Sequence, residues 1–293
     1  MCWCSDGNIV PIFTTTKYGI EGFDGRQRLL KKDRSKKSES KTFFGAASFL
    51  DPSPLGTMAE PNHIYQYSLI NALMAGIADS GIDVAHFTSK GNQGIGTFTK
   101  IQGELVLLDG KVYQLQASGA IRTAEAEEQL PYAVATQFEP QKTIQTTLNT
   151  KDDVDKVLVD VDDHAENLFM SYRIDGKFKK LKSRTVRGQE YENQPLSELG
   201  SKQAVQEYED IEGTIVGFRA PANWQGFTVA GEHLHFIDKD RKVGGHVLEL
   251  QSDGELNFGM AVVNNIHIEL PTSEKFNAAK MTTEDAGIKG IEG

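Results

Sequence analysis

The sequence predicts an α+β fold: mainly antiparallel and mixed β-sheets, a two-sheet body, a few helices and a disordered N-terminal extension. Three observations predict it. Short runs of alternating apolar and polar residues, separated by Gly, Asp and Asn turn signals, dominate from Gly94 onward. Helical spacing is confined to a few stretches that do not alternate regularly with strands, which argues against a parallel α/β sheet. Residues 1–57 have no sustained periodicity, and their Lys/Arg/Ser-rich run from Arg26 to Lys41 has the composition of a solvated segment.

The body is expected over 58–293. Ile64 to Ala78 places Leu69, Ile70, Leu73, Met74 and Ile77 on one helical stripe that ends before Gly81. Glu104-Leu-Val-Leu-Leu, Asp109-Gly110 and Lys-Val-Tyr-Gln-Leu read as a hairpin with a type I′ turn. Pro131 to Phe138 is a further strand. Lys151 to Ala165 is a helix capped by Thr150 or Asp152, with Val154, Val157, Leu158 and Val161 inside. Strands Phe169–Ile174 and Phe178–Val186 are joined by a turn at Asp175-Gly176. A helical piece near Leu196–Tyr208 precedes a strand at Thr214–Arg219. Strands at Glu255–Val263 and Ile266–Leu270 follow, and the tail from Phe276 to Glu292 is partly helical.

Composition narrows the chemistry. The 293 residues, 39% of them hydrophobic, are enough to bury a full core. No apolar run approaches the ~20 residues that span a bilayer. The net charge of −10 argues against nucleic acid, because phosphate binding needs concentrated Lys and Arg. That charge is uneven: residues 1–57 hold nine Lys/Arg against six Asp/Glu, which leaves the remainder at −13. No apolar core follows a basic start, so no secretory signal is read. Asp6, Glu21 and Asp24 disfavour a mitochondrial presequence, and the expected location is the cytoplasm. Both cysteines, Cys2 and Cys4, lie at the extreme N-terminus, so a metal site in the body must use His, Asp and Glu.

Three of the seven histidines fall between His233 and His246. On a strand His233 and His235 share a face. If the chain folds back about Asp240 and Arg241, His246 lands opposite His235, and three imidazoles converge. That is the ligand set of a catalytic zinc or similar ion with a position left open. Gly91-Asn-Gln-Gly-Ile-Gly lacks the ending of a phosphate loop and reads as a turn. A cupin would carry a Glu four residues after the second His, where this chain has Lys239.

The histidine hairpin resembles the zinc motif of the α-acetolactate decarboxylase family. The resemblance covers about residues 61–292: Tyr65-Gln-Tyr-Ser-Leu-Ile-Asn-Ala-Leu-Met, Gly96-Thr-Phe, Gly103-Glu104, Asp109-Gly-Lys-Val-Tyr-Gln, Phe138-Glu-Pro, Arg184-Thr-Val, Gly213-Thr-Ile-Val-Gly-Phe and Glu269-Leu-Pro. It implies conversion of 2-acetolactate to acetoin and CO₂, with Zn²⁺ on His233, His235 and His246. It also implies site roles for Glu104, Arg184 and a C-terminal glutamate, for which Glu292 matches best and Glu284 is the alternative. A small-molecule substrate and a homodimer are the expected partners. Two departures stand out. Arg187-Gly188 replaces the proline that usually follows Arg-Thr-Val, which is expected to free the segment leaving Arg184, and Gln137 stands where His often precedes Phe-Glu-Pro. Two alternatives remain at this stage, a metal-dependent lyase for another branched 2-hydroxy-3-oxo acid and a metal-binding relative without turnover.

Overall fold

Apolar alternation in runs of a few residues, cut by glycine and polar turns, makes strand the main regular structure of the described residues. The computed structural model describes residues 59–161 and 166–281, so the extension expected over 1–57 lies outside it. The order is β1 (Ile64–Tyr67), α1 (Ile70–Met74), β2 (Ile82–Asp83), α2 (Val84–Thr88), β3 (Gln93–Thr97), β4 (Glu104–Leu108), β5 (Lys111–Leu115), β6 (Ile121–Thr123), β7 (Gln129–Leu130), β8 (Tyr132–Thr136) and β9 (Lys142–Thr146). After α3 (Asp153–Val161) come β10 (Phe169–Thr185), α4 (Leu196–Leu199), β11 (Ala204–Ala220), β12 (Gly231–Asp238), β13 (Gly244–Ser252), β14 (Leu256–Val263), β15 (Ile266–Glu269) and α5 (Glu274–Ala278).

Two large sheets result, as expected for the α+β class. One has the order β15-β1-β8-β3-β4-β5-β6 and is antiparallel except for the parallel pair β1–β15. The other has the order β11-β12-β13-β10-β14-β9, and an added β11–β10 pairing closes β10, β11, β12 and β13 into a ring. Ile95, Val106, Leu108 and Tyr132 of the first sheet pack in one core with Val216, Phe218 and Ile237 of the second. Leu105 and Leu107 point the other way, toward Phe87 of α2. With both faces covered, β4 is buried at every position, and its sequence is a continuous apolar run after Glu104. Val154 and Leu158 of α3 cover Leu234, Phe236 and Phe258 on the opposite face of the second sheet.

The Asp109-Gly110 hairpin forms as expected, both residues at positive φ as a type I′ turn requires. Three expectations are corrected. Ile64–Tyr67 is a strand and not the start of a helix, and the helix spans only Ile70–Met74. Ser68, at φ 67°, breaks the chain between them, and β1 is buried at all four positions between β8 and β15. Asp175-Gly176 makes no turn, because β10 runs unbroken from Phe169 to Thr185. The Asp175 carboxylate that could have closed a turn instead accepts from Thr214 Oγ1 (2.6 Å) and Arg173 Nε (2.8 Å). Helix in 196–208 is limited to Leu196–Leu199 and a 3₁₀ turn at Gly200–Lys202, since β10 offers β11 a partner from Ala204 onward. The helix expected over 151–165 is described only as Asp153–Val161. Asp153 supplies the N-terminal side chain, accepting from the backbone of Asn149 and Thr150. In the tail, α5 covers Glu274–Ala278, and residues 282–293 lie outside the described residues.

Candidate metal centre

One carboxylate shapes the turn that presents the histidines. Asp238, at the end of β12, accepts hydrogen bonds from the backbone N–H of Asp240 (3.2 Å), Lys242 (2.6 Å) and Val243 (2.8 Å). This satisfies the donors of the reversing chain and fixes the register, which pairs His235 with His246. Gly244 is required at the start of β13, where a Cβ would lie 2.3 Å from the Phe236 carbonyl oxygen. On its other side β13 pairs with β10 and sets His246 opposite Arg184. His235, His246 and Arg184 therefore form one row across three strands, with His233 one pleat along.

Directly paired residues of antiparallel strands share a face, and here that face meets the first sheet. The three histidines bring one ligand nitrogen each to within 4.8 Å of one another, and all three are buried. Their ring centroids are 5.2 to 5.4 Å apart. His235 Nδ1 lies 2.8 Å from the carbonyl oxygen of Leu105. A carbonyl can only accept, so Nδ1 carries the proton and Nε2 presents its lone pair to the cluster. Nε2 is buried and has no hydrogen-bond partner among the described residues. Burial pushes His235 down to about 3, with Arg184 acting in the same direction and the Leu105 carbonyl against it. His233 and His246 are also held well below the usual histidine range, first by burial. The Arg184 guanidinium, and the repulsion a second protonated imidazole in the cluster would add, act in the same direction. The cluster is neutral at ordinary pH.

The first sheet contributes Glu104, the opening residue of β4, which pairs with Thr97 of β3. Arg184 Nη1 donates to Glu104 Oε1 at 3.0 Å, and the residues are 1% and 6% exposed. Glu104 Oε2 lies 3.6 Å from His235 Nε2. A guanidinium and a carboxylate thus meet at the edge of the histidine cluster. A separate cavity of about 480 Å³, lined by Lys151, Leu181, Tyr208 and Leu250 among others, touches none of these residues.

Comparison with known proteins identifies the family. The family described as alpha-acetolactate decarboxylase matches residues 64–283. The chain belongs to this family. An alpha-acetolactate decarboxylase of Klebsiella aerogenes is 37% identical over 234 residues, covering 78% of this chain and 88% of that protein. One from Bacillus subtilis strain 168 is 34% identical over 225 residues, covering 76% and 88%. The crystal structure of alpha-acetolactate decarboxylase from that strain superposes with a TM-score of 0.75 at 34% identity, over 79% of this chain and 99% of that one. A Staphylococcus aureus protein, described as similar to alpha-acetolactate decarboxylase, gives 0.74 at 31% identity, over 78% and 98%.

Five of the residues singled out in the sequence come together: His233, His235, His246, Glu104 and Arg184. Glu284 and Glu292 lie outside the described residues, and the family match ends at 283. The donor set fits a divalent ion, with three neutral imidazoles aimed at one point and one of them, His235, oriented by a backbone carbonyl. Sequence reasoning missed the role of Leu105, because a carbonyl is invisible in a residue's identity. It also misjudged the segment after Arg184. Loss of the family's proline does not free it: Gly103 N–H donates to Val186 O (3.2 Å) and Gln189 N–H to Lys100 O (2.7 Å). Backbone hydrogen bonds do what a fixed φ would otherwise do. Among the described residues no helix is long and apolar enough to cross a membrane.

Proposed function

We propose that this family member decarboxylates 2-acetolactate to acetoin and CO₂, using Zn²⁺ held by His233, His235 and His246. The observation that carries the reading is the buried Glu104–Arg184 pair at 3.0 Å, standing against a three-histidine cluster. A structural site needs neither group, whereas a decarboxylase needs both an anion clamp and a proton carrier.

The reaction breaks the bond between C2 and the carboxylate. The electron pair stays behind as an enediolate, and C2 then takes up one proton to give acetoin. A bound divalent ion supplies Lewis-acid stabilisation of the charge that develops on the ketone and hydroxyl oxygens. Arg184 holds the substrate carboxylate, its planar fork suited to two oxygens at once, and fixes Glu104 through the same guanidinium. Glu104 relays a proton taken up from solvent to C2 from a fixed side, which sets the configuration of the product. Glu292, or Glu284 in its place, is assigned as the second carboxylate. The surrounding sheets exclude water, which strengthens each of these interactions.

The test is an acetoin assay on purified protein with racemic 2-acetolactate, before and after chelation, then with zinc restored. Acetoin that is lost on chelation and recovered with zinc supports the reading. A stoichiometric metal with no acetoin overturns it in favour of another branched 2-hydroxy-3-oxo acid or of a metal-binding relative without turnover.

A further inference from the structure

Glu104 and Arg184 are 80 residues apart and stand on different sheets, so some feature must set the distance between them. Immediately before β4, Lys100 and Ile101 both adopt left-handed backbone, at φ 59° and 54°. This is unfavourable for any L-residue and rare for a β-branched one, and Ile101 is also 2% exposed. Such conformations persist only where the surroundings impose them. Here the surroundings are the four residues that follow Thr185.

Val186 accepts from Gly103 N–H, the amide next to Glu104, and Lys100 O accepts from Gln189 N–H. Lys100 N–H is taken by Ala78 O at 2.6 Å. Gly188, at φ +94°, lies so close to the loop that a Cβ would come 2.9 Å from Gln102 Cγ and 3.3 Å from Lys100 O. The Gln189 side-chain amide then donates to Gly76 O (2.8 Å) and Gln194 O (3.0 Å), tying the segment to the end of α1 and to the chain before α4. On the loop side, Gln114 Nε2 donates to Gln102 O and Thr97 Oγ1 to Gly103 O, both within 2.8 Å. The strand end carrying Arg184 and the strand start carrying Glu104 are therefore joined by backbone hydrogen bonds.

We infer that loop 99–103 and segment 186–189 form a clamp that sets the Glu104–Arg184 geometry, with Gly188 and Gln189 as positioning residues for the reaction. The inference rests on the decarboxylase reading for its kinetic consequence, and on backbone contacts alone for its structural one. A displacement of about 1 Å at a reacting group costs roughly 10²-fold in rate.

The test uses full-length, zinc-loaded protein. Gly188→Ala should lower kcat on 2-acetolactate about 10²-fold while zinc stoichiometry stays at the wild-type value. In a Glu104→Gln background the same substitution should cost nothing further, because the group it misplaces is already gone. Gln189→Ala, which keeps the backbone amide and removes the two side-chain ties, should show the same pattern more weakly and replaces Gly188→Ala if that variant does not fold. Equal fold-losses in both backgrounds, unchanged kcat in both variants, or zinc lost together with activity would each overturn the clamp. If the wild type makes no acetoin, the functional reading fails by itself. The clamp is then judged on a crystal structure of Gly188→Ala, where an unchanged 3.0 Å Glu104–Arg184 contact refutes it.

Discussion

Arg184 has two tasks that single substitutions can separate. It neutralises a buried carboxylate, and it presents a planar fork to a substrate anion. Arg184→Met would take the guanidinium away from the buried Glu104 carboxylate, a change that costs up to about 3–5 kcal/mol. Arg184→Lys keeps the charge but not the fork, so it should lose less stability than Arg184→Met and still drop kcat/KM by about 10²-fold or more, with the bound metal retained. Near-wild-type turnover in the lysine variant would remove the clamp role and leave only charge balance. The histidines make a second prediction. Burial holds His235 at about 3 in the fold, against about 6.5 when unfolded. Between those values the unfolded chain binds a proton that the folded chain refuses. The contribution is therefore complete above about pH 6.5 and is lost as pH falls toward 3. Urea midpoints of metal-free protein should fall across that window. His235→Gln, which has no such proton to bind, should fall less steeply and should also lose its capacity to bind metal. Parallel slopes would exclude His235 as a source of acid sensitivity.

At the scale of elements, the legible parts of the sequence were those in which one local rule acts alone. Asp109-Gly110 fixed its hairpin because left-handed backbone at two successive positions selects those residues. The HxH spacing and the reversal near Asp240 were enough to place His246 opposite His235. Errors occurred where tertiary pairing overrode a local signal. The apolar spacing of 64–78 spanned a strand and a helix, and the helical stripe from Leu69 to Ile77 was extended back over Ile64–Tyr67, which pairs as a strand. Asp175-Gly176 has turn composition, yet a hydrogen-bonded carboxylate and a partner strand on each side keep β10 continuous there. The Glu104–Arg184 contact spans two sheets, so no periodicity could indicate it, and the family resemblance gave each residue a site role without pairing them. The β10–β11 pairing also depends on one glycine. A Cβ at Gly217 would sit 2.2 Å from the Tyr172 ring, whose hydroxyl donates to Glu232. Gly217→Ala should therefore destabilise the fold by about 1–3 kcal/mol through overpacking. It should appear as a lower urea midpoint at unchanged slope, and an unshifted midpoint would show that the ring can move aside.

Across the whole molecule, the site depends on two sheets meeting face to face. The second supplies three neutral nitrogens and a guanidinium, and the first supplies a carboxylate and the carbonyl that orients His235. All of these groups lie between residues 104 and 246, well inside the family match of 64–283. Residues 1–57 precede that match and add a net positive charge to a remainder at −13. We therefore expect a protein beginning at Met58 to keep its metal stoichiometry and its kcat within about twofold, since the contacts described for the five site residues lie within the family match. The substrate is an anion, so removing positive charge can still slow its approach. Any change should appear in kcat/KM at low salt and fade as ionic strength rises, because screening at 0.15 M reaches down to about 8 Å. A tenfold loss of kcat that salt does not alter would mean that residues 1–57 help to complete the site. The separation of body and extension proposed from the sequence would then have to be abandoned.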